Sequence, residues 1–415
     1  MGSVFIRGAT IWDATGAPAV MGDVLVTDRH IEWVRPGGAG ESVQAERVID
    51  AAGRFLMPGM VEGHAHISFG NAAGTEELVQ PSPEAHTLIT MQGARDLIDA
   101  GFTSAYGASE AKLRLGVAIR DAVNAGLIPG PRIRAGSMEI TVVGSIGDES
   151  REHNPRIGIS HIISGPEEMR HAVRLACREG CDNIKLDISG DPFYPTAPAH
   201  TTPMAWDEVK MAVDTAHAYG KKVNAHARSA ESVKHAIRAG VTAIFHAEFH
   251  DEEMLDLCEE AKDRIFIAPS IGLFHTMIHE GEPWLPKGTA EAMGIPQLVE
   301  ASIETHSALR KRGIRHVIGG DYGLAWNRQG TNARDVRHLV DYYGYTPAEA
   351  LICATRHGGL LMRDEGDLGT IEPGKLADLL LIDGDPLTDV DAVADRSRIA
   401  MVMKDGALHS LAAGL

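Results

Sequence analysis

Short apolar runs alternate with amphipathic segments along the middle of the chain. The runs cover residues 60–66, 102–106, 132–136, 183–187, 223–226, 243–246, 265–268 and 316–320. Segments between them, such as 166–178, 206–219 and 230–239, carry apolar residues at helical spacing. Eight strand–helix alternations predict an α/β fold, a (β/α)8 TIM barrel with insertions. An open doubly wound sheet is the main alternative, but the glycine-rich phosphate turn typical of that fold is absent from the sequence.

Both ends of the chain carry short strand-like segments. They cover 4–12, 23–26, 30–34, 48–50 and 54–56 near the start, and 377–383 and 399–404 near the end. Neither end alone has enough strands for a stable sheet. We therefore expect the two ends to build one β-sandwich, with residues 1–57 as its N-terminal part, 58–358 as the barrel and 359–415 as its C-terminal part.

Composition narrows the possible partners and the location. The formal net charge of -18 over 415 residues argues against a nucleic-acid partner, which requires a basic face. We see no signal peptide and no apolar run long enough to span a bilayer, so we expect no membrane partner. The four cysteines form no Cys-x-x-Cys pair, which favours a reducing cytoplasm. We expect a cytoplasmic homo-oligomer that acts on a small-molecule substrate.

The first central run ends in two histidines, His64 and His66. Residues i and i+2 of an extended strand point to the same face, so both rings could reach one metal ion. Two histidines that only bond to backbone would give the same pattern, so this pair alone is weak evidence.

Later runs end in further residues of the same kind. In a barrel, the chemistry lies at the carboxyl ends of the strands. Histidine and carboxylate are ligands for zinc and similar divalent ions. Lysine needs a separate reason inside an apolar strand: its ammonium pairs with Asp187 or Asp321, or burial keeps the amine neutral so that it takes up carbon dioxide as a carbamate. The residues at these positions are Lys185, His226, His246 and Asp321.

These residues and two longer motifs resemble the amidohydrolase superfamily. The stretch PGMVEGHAH at 58–66 is similar to the first-strand motif of that superfamily, and GTIEPGKLADL at 369–379 to its return into the β-sandwich. The stretches around Lys185, His226 and His246 most resemble the imidazolonepropionase-like and Xaa-Pro dipeptidase-like branch. The resemblance covers almost the whole chain. The sequence departs from the usual pattern of the superfamily at 101–107, Glu248 and Tyr322. These departures leave the metal ligands intact and bear on which substrate is bound.

The resemblance implies a binuclear centre with a carboxylated lysine. Its cofactors would be two divalent metal ions, Zn²⁺ by expectation, and carbon dioxide as the Lys185 carbamate. Asp321 would take the proton of a metal-bridging hydroxide and pass it to the leaving nitrogen. The implied ligands are His64, His66 and Asp321 for one ion, His226 and His246 for the other, and Lys185 as the bridge.

The expected reaction is hydrolysis of a C–N bond in an amide, carbamate, urea or cyclic amide. The expected substrate is small and rather apolar. Alternatives are an Xaa-Pro-type dipeptidase, a lactonase using the same site, and an inactive metal-binding scaffold. A dipeptidase needs a cation for the terminal carboxylate of its substrate, and Arg228 is one candidate, although an ordinary ion pair fits that residue equally well. The candidate substrate contacts are Arg228, Tyr106, Tyr322 and Trp326.

Overall fold

A computed structural model describes residues 2–38 and 43–415. Residues 1 and 39–42, which fall in the expected N-terminal domain, lie outside the described residues. The described strands are β1 (Ser3–Ile11), β2 (Val20–Thr27), β3 (His30–Pro36), β4 (Arg47–Asp50), β5 (Phe55–Pro58), β6 (Met60–Ala65), β7 (Phe102–Gly107), β8 (Arg132–Arg134), β9 (Gly136–Val142), β10 (Ser160–Ile163), β11 (Asn183–Asp187), β12 (Lys222–Ala227), β13 (Ala243–His246), β14 (Phe266–Ala268), β15 (Leu379–Ile382), β16 (Ile399–Lys404) and β17 (Ala407–Leu411).

Helices separate the central strands. Within residues 2–38 and 43–415, no helix combines the length and the apolar character needed to cross a membrane. The α-helices are α1 (Thr75–Val79), α2 (Pro83–Asp99), α3 (Leu115–Asn124), α4 (Pro166–Arg178), α5 (Trp206–Ala218), α6 (Ala230–Ala239), α7 (Glu252–Glu260), α8 (Ile271–His279), α9 (Thr289–Ala292), α10 (Ile295–Lys311), α11 (Arg334–Tyr343), α12 (Pro347–Ile352) and α13 (Gly358–Met362), with a π-helix at Cys353–His357 and 3-10 turns at Val390–Val393 and Arg396–Arg398.

The central strands form two parallel sheets. One has the order β6-β7-β8 and the other the order β10-β9-β11-β12-β13-β14. Every residue of β6 and β11 is buried, as expected for strands covered by helices on both faces. Local signals start the helices: Pro166 begins α4, and the hydroxyl of Ser229 accepts the backbone N–H of Ser232 at the start of α6. The predicted α/β class is confirmed.

Two of the predicted strands differ in detail. The third run is split by Ala135, whose carbonyl oxygen accepts from the N–H groups of Asp182 and Asn183. The eighth run is no regular strand, but the N–H of Val317 donates to the carbonyl oxygen of Ile267 at 3.0 Å. On its other side, the N–H of Gly63 donates to the carbonyl oxygen of Ile318 at 3.0 Å. The 315–318 segment therefore bridges β14 and β6, the outer strands of the two sheets.

The two chain ends meet in a third sheet. It has eight strands in the order β17-β16-β15-β5-β1-β2-β3, with β4 paired to β1. Antiparallel pairing of β5 with β15 joins the early part of the chain to the late part. Its apolar face buries Ile6, Val24, Leu56, Leu381 and Met401. Since neither end could bury this face alone, the sheet depends on both.

Arg132 fastens this sheet to the central part of the chain. Its guanidinium donates to both carboxylate oxygens of Asp378, at 2.8 and 3.2 Å, and to Asp405 at 2.6 Å. Arg132 lies on β8, whereas Asp378 directly precedes β15. A partly buried two-oxygen contact of this kind fixes orientation as well as distance.

Candidate metal centre

His64 on β6, His66 directly after it and Asp321 converge at the carboxyl ends of the central strands. Asp321 Oδ1 lies 3.1 Å from His66 Nε2 and 3.9 Å from His64 Nε2. One ligand atom from each of the three lies within 4.8 Å of the others, close enough to share a metal ion. His64 Nε2 is buried and has no hydrogen-bond partner among the described residues. A metal ion would satisfy that orphaned atom.

The ring of His66 gives a second reason for a cation here. His66 Nδ1 lies 3.2 Å from the carbonyl oxygen of Ser109, an atom that can only accept. Nδ1 therefore carries the proton, and in the neutral ring Nε2 presents a lone pair to Asp321 Oδ1. Two facing lone pairs at 3.1 Å need a shared cation, either a proton or a metal ion.

Two further histidines lie beside this group. The rings of His226 and His246 have centroids 4.4 Å apart, and His246 lies 5.4 Å from His64. His226 Nε2 lies 3.0 Å from the carbonyl oxygen of Gly190, so Nε2 carries the proton and Nδ1 keeps the free lone pair. The structure therefore brings all four predicted histidines and Asp321 together.

The electrostatics of these side chains suit a divalent cation. Burial lowers the pKa of His64, His226 and His246 well below the usual value, so all three rings are neutral at pH 7. Burial raises the pKa of Asp321, but charged neighbours that include Lys185 lower it below its usual range. Neutral imidazoles and an ionised carboxylate are the protonation states that metal ligation requires.

Lys185 lies on β11 with its side chain almost fully buried. Its Nζ is 3.4 Å from Asp187 Oδ1 and 3.9 Å from Glu139 Oε1. The sequence predicted Asp187 or Asp321 as the partner of this amine. Asp187 lies beside it, and the second carboxylate near it is Glu139. The ring of Phe245 contacts both side chains: its centroid is 5.4 Å from Lys185 Nζ, and it stacks on His64 with centroids 3.8 Å apart.

Several residues of the centre have strained backbones. His246, Ser270 and Asp321 have φ angles of 79°, 58° and 61°, in the left-handed region that non-glycine residues seldom adopt. Such conformations cost on the order of 1–3 kcal/mol each and persist where surrounding contacts hold them. His306 Nε2 bonds to the carbonyl oxygen of His246 at 2.6 Å, and Asn327 Nδ2 donates to that of Asp321 at 2.9 Å.

Arg228, the predicted cation for a substrate, is already paired. It is fully buried, with Nε donating to Asp191 Oδ2 at 2.9 Å and a terminal nitrogen donating to Glu248. Two carboxylates balance its charge and fix its direction. The substrate contact of Arg228 stays a prediction, and the structure adds that both partners are needed here, since removing either would leave a buried charge unpaired.

Two of the predicted aromatic contacts, Tyr322 and Tyr106, stay predictions. The hydroxyl of Tyr322 donates to Asp335 Oδ1 at 2.9 Å. The hydroxyl of Tyr106 is buried and has no hydrogen-bond partner within residues 2–38 and 43–415. Burial raises the pKa of Tyr106 above its usual range.

Trp326 remains a candidate substrate contact. Its indole is buried in the largest apolar cluster, but the Nε1–H has no hydrogen-bond partner in the described part of the chain. A buried donor without a partner is uncommon in folded proteins. The free N–H is consistent with a contact to a bound molecule.

Sequence reasoning missed several polar residues around the centre. Ser270 Oγ lies 2.8 Å from His64 Nδ1, and Ser109 Oγ lies 3.0 Å from His66 Nδ1. Asp191 lies 3.7 Å from His226 Nε2. The signal that could have found them is position, because each follows the carboxyl end of a central strand within a few residues.

Comparisons with known proteins agree with this geometry. A model of the amidohydrolase family matches residues 55–408. Ochratoxinase from Aspergillus niger is 25% identical over 379 residues, covering 85% of this chain and 75% of the relative. Imidazolonepropionase from Acidiphilium cryptum is 24% identical over 395 residues, covering 91% of each chain. The solved structure of a Xaa-Pro dipeptidase superposes with a TM-score of 0.86 at 26% identity, covering 98% of this chain and 100% of that one.

The expectations drawn from the sequence for the family and for enzymatic activity are therefore confirmed. The match extends over most of the chain, from the start of β5 into β17. The chain belongs to the amidohydrolase family, and it is an enzyme of the class that hydrolyses carbon–nitrogen bonds.

Proposed function

We propose that this protein is a metal-dependent hydrolase that cleaves a C–N bond in a small, rather apolar amide, carbamate, urea or cyclic amide. The observation that carries the proposal is the convergence of His64, His66 and Asp321 around a buried atom without a partner. The relatives named above, an ochratoxinase, an imidazolonepropionase and an Xaa-Pro dipeptidase, support the same class of reaction.

The proposed centre holds two divalent ions, Zn²⁺ in our proposal. When bound, such ions lower the pKa of a water molecule and polarise the carbonyl group that is attacked. Burial of Lys185 beside His226 and His246 supports a lysine carbamate as the anionic bridge. The proposed ligands are His64, His66 and Asp321 for one ion, His226 and His246 for the other, and carboxylated Lys185 between them.

Asp321 is the proposed proton carrier. Its carboxylate is ionised, and its Oδ1 faces the histidine pair. An ionised carboxylate in this position takes a proton from the attacking water and delivers it to the leaving nitrogen. Asn327 donates to the backbone carbonyl oxygen of Asp321 and so helps to hold the backbone that carries this carboxylate.

The eight central segments close into a barrel in our proposal. The hydrogen bonds of Val317 with Ile267, and of Gly63 with Ile318, support closure between β14 and β6. This barrel would cover residues 58–358, with residues 1–57 and 359–415 forming the two parts of a β-sandwich. Formation of a homo-oligomer and a cytoplasmic location stay predictions from the sequence.

An Xaa-Pro dipeptidase is the second candidate function. The similarity to the solved dipeptidase, at 26% identity over almost the whole chain, favours it. The pairing of Arg228 with Asp191 and Glu248 counts against it, because that cation is not free for a terminal carboxylate. A lactonase would use the same centre. An inactive scaffold is less well supported, since the proposed proton carrier Asp321 is present with the histidines.

The proposal is tested by metal analysis followed by a hydrolysis screen. Protein purified without chelator should carry close to two equivalents of transition metal by mass spectrometry. The zinc-loaded protein should hydrolyse at least one member of a panel of aryl amides, N-acyl amino acids, carbamates, ureas, Xaa-Pro dipeptides and lactones, and should lose that activity after chelation. Absence of stoichiometric metal together with no hydrolysis across the panel would refute the proposal.

A further inference from the structure

A cavity of about 250 Å³ opens next to the proposed metal centre. Asp191 connects the two, because it lines the cavity and its Oδ2 lies 3.7 Å from His226 Nε2. The remaining wall comes from the 192–200 loop that follows β11, from Phe249 after β13, and from the start of α10. A group bound here would therefore lie on the Nε2 side of His226.

The lining of this cavity is mainly apolar. Phe249, Met293 and Leu298 form much of one side, and three prolines and Ala199 contribute to the other. None of the described lining residues is lysine or arginine. The polar groups at the rim, such as His200 and Gln297, are exposed.

Among the described residues of the lining, Asp191 is the only carboxylate, and it already has hydrogen-bond partners. Asp191 accepts from Arg228 at 2.9 Å and from the N–H of Phe193 at 2.9 Å. An anionic group entering this cavity would lose its water and meet a carboxylate, with no lining cation to pair with it. An uncharged apolar group would instead exchange water for the side chains of Phe249, Met293 and Leu298.

The cavity is too small for a whole drug-sized ligand. Sites for such ligands usually measure about 300–1,000 Å³. A volume of about 250 Å³ suits one ring or one branched alkyl group. The rest of the substrate would lie over the metal centre, with its scissile bond near His226 and Asp321.

We infer that this cavity binds an uncharged ring or branched alkyl substituent on one side of the scissile bond. The inference rests on the proposed function and adds the chemical class of the substrate: a neutral amide with an apolar substituent, without a carboxylate on that side.

Two matched substrate series test the inference on the zinc-loaded enzyme. The acyl series consists of the acetyl, phenylacetyl and (4-carboxyphenyl)acetyl derivatives of one aniline. The amine series consists of the acetamides of methylamine, benzylamine and 4-carboxybenzylamine. In one series, kcat/KM should rise at least tenfold from the small group to the ring and fall at least tenfold when the ring carries a carboxylate. Hydrolysis without this dependence in either series would overturn the inference while leaving the proposed function in place.

A charge introduced at the rim gives a second test. Gln297→Lys places a cation beside the cavity, so the ratio of kcat/KM for the carboxylated ring to that for the neutral ring should rise about tenfold. Glu300→Gln, on the same helix but outside the lining, changes the net charge by the same amount and should leave this ratio unaltered. Equal shifts in both variants would mean that overall charge, not the cavity, sets the preference.

Binding without turnover separates failure of the inference from failure of the proposed function. 4-Fluorobenzyl alcohol is neutral and cannot be hydrolysed, and its binding can be followed by fluorine NMR. The wild-type protein should bind it, and Leu298→Trp, which fills the cavity, should weaken binding at least tenfold while circular dichroism reports a retained fold. Failure of the wild-type protein to bind, or equal binding by the folded variant, would overturn the inference even if no amide is hydrolysed. If Leu298→Trp does not fold, the same comparison with Met293→Trp decides.

Discussion

His306 donates a hydrogen bond from Nε2 to the backbone carbonyl oxygen of His246 over 2.6 Å. Because a carbonyl oxygen only accepts, the proton lies on Nε2, and Nδ1 accepts from His316 Nε2 at 3.0 Å. His316 Nδ1 accepts in turn from the hydroxyl of Tyr345 at 2.7 Å. Burial lowers the pKa of His306 to about 4, so the ring is neutral at pH 7. A chain of three buried side chains thus supports the strained backbone of a proposed metal ligand.

Removing this hydrogen bond should weaken binding of the metal ion proposed to lie between His226 and His246. We expect His306→Ala to lower metal affinity and kcat about tenfold or more, since partners that orient metal ligands typically contribute 10–100-fold. His306→Gln keeps an N–H donor of similar reach and should recover part of the loss. The measurements are metal titration and steady-state kinetics, with exposed His217→Ala as the control. Full metal affinity in folded His306→Ala would contradict the role.

Asp321→Asn should separate structure from proton transfer. Asparagine tolerates the φ of 61° at this position and keeps an oxygen that can ligate, so the fold should persist. It cannot accept the proton, and kcat should fall about a thousandfold, within the usual range for general acid–base groups. The matched control is Asp263→Asn, which alters an exposed carboxylate. Wild-type turnover by metal-loaded Asp321→Asn would exclude the proton-carrier role.

Lys185→Ala should show which form of the lysine the centre uses. If Lys185 is a carbamate bridge, the variant should lose one metal ion and its activity, and propionate should restore part of both in the presence of metal. If Lys185 is only the ammonium partner of Asp187 and Glu139, propionate would add repulsion, and ethylamine should instead restore stability.

The matched variant is Lys185→Arg, which propionate should not rescue because the guanidinium fills the space and stays charged. Electron density at Lys185 Nζ in metal-loaded crystals gives a direct reading. A bare ammonium, with metal binding and turnover unchanged in Lys185→Ala, would exclude Lys185 as the bridge.

The free energy of unfolding should decrease as the pH rises, because a buried carboxyl group next to the centre loses its proton. Burial raises the pKa of Glu110 from 4.5 to about 8, and within the described residues neither carboxyl oxygen has a hydrogen-bond partner. Between these values the folded state holds a proton that the unfolded state has lost, so the free energy of unfolding decreases by about 1.4 kcal/mol per pH unit. The contribution is complete below pH 4.5 and is lost as the pH rises through 8.

Glu110→Gln should remove this dependence, since an amide does not titrate. Urea unfolding at pH 6 and pH 7.5 should show a decrease in the free energy of unfolding that is about 2 kcal/mol larger for the wild-type protein than for the variant. Glu300→Gln, at an exposed position, should behave as wild type. The same pH dependence in Glu110→Gln and the wild-type protein would contradict the assignment.

Local patterns determined much of this molecule. Apolar runs mark the central strands because a buried strand needs apolar side chains on both faces, whatever its neighbours are. The two-residue spacing of His64, on β6, and His66, directly after it, lets both rings approach Asp321. Strand-end positions also identified His226, His246 and Asp321, since parallel strands bring their carboxyl ends to the same side of a sheet.

Sequence reasoning does not show the role of a side chain when that role depends on residues far away in the chain. Nothing near Arg228 in the chain shows that Asp191, 37 residues earlier, and Glu248, 20 residues later, both pair with its guanidinium. The same holds for Lys185, whose neighbour Glu139 comes from another strand. The sequence also does not show that the hydroxyl of Tyr322 donates a hydrogen bond to Asp335. Each of these side chains has a residue type compatible with several roles, and only its partners select one.

The sequence by itself determined the family, the α/β class and the ligand types at the strand ends, because these follow from short-range periodicity and short motifs. Only the tertiary structure decided which ring nitrogen of His226 is free, which carboxylates surround Lys185, and where an apolar cavity lies. Those properties depend on distances between segments far apart in the chain, such as the 192–200 loop and the start of α10 beside Phe249. Packing sets such distances, and no local pattern encodes them.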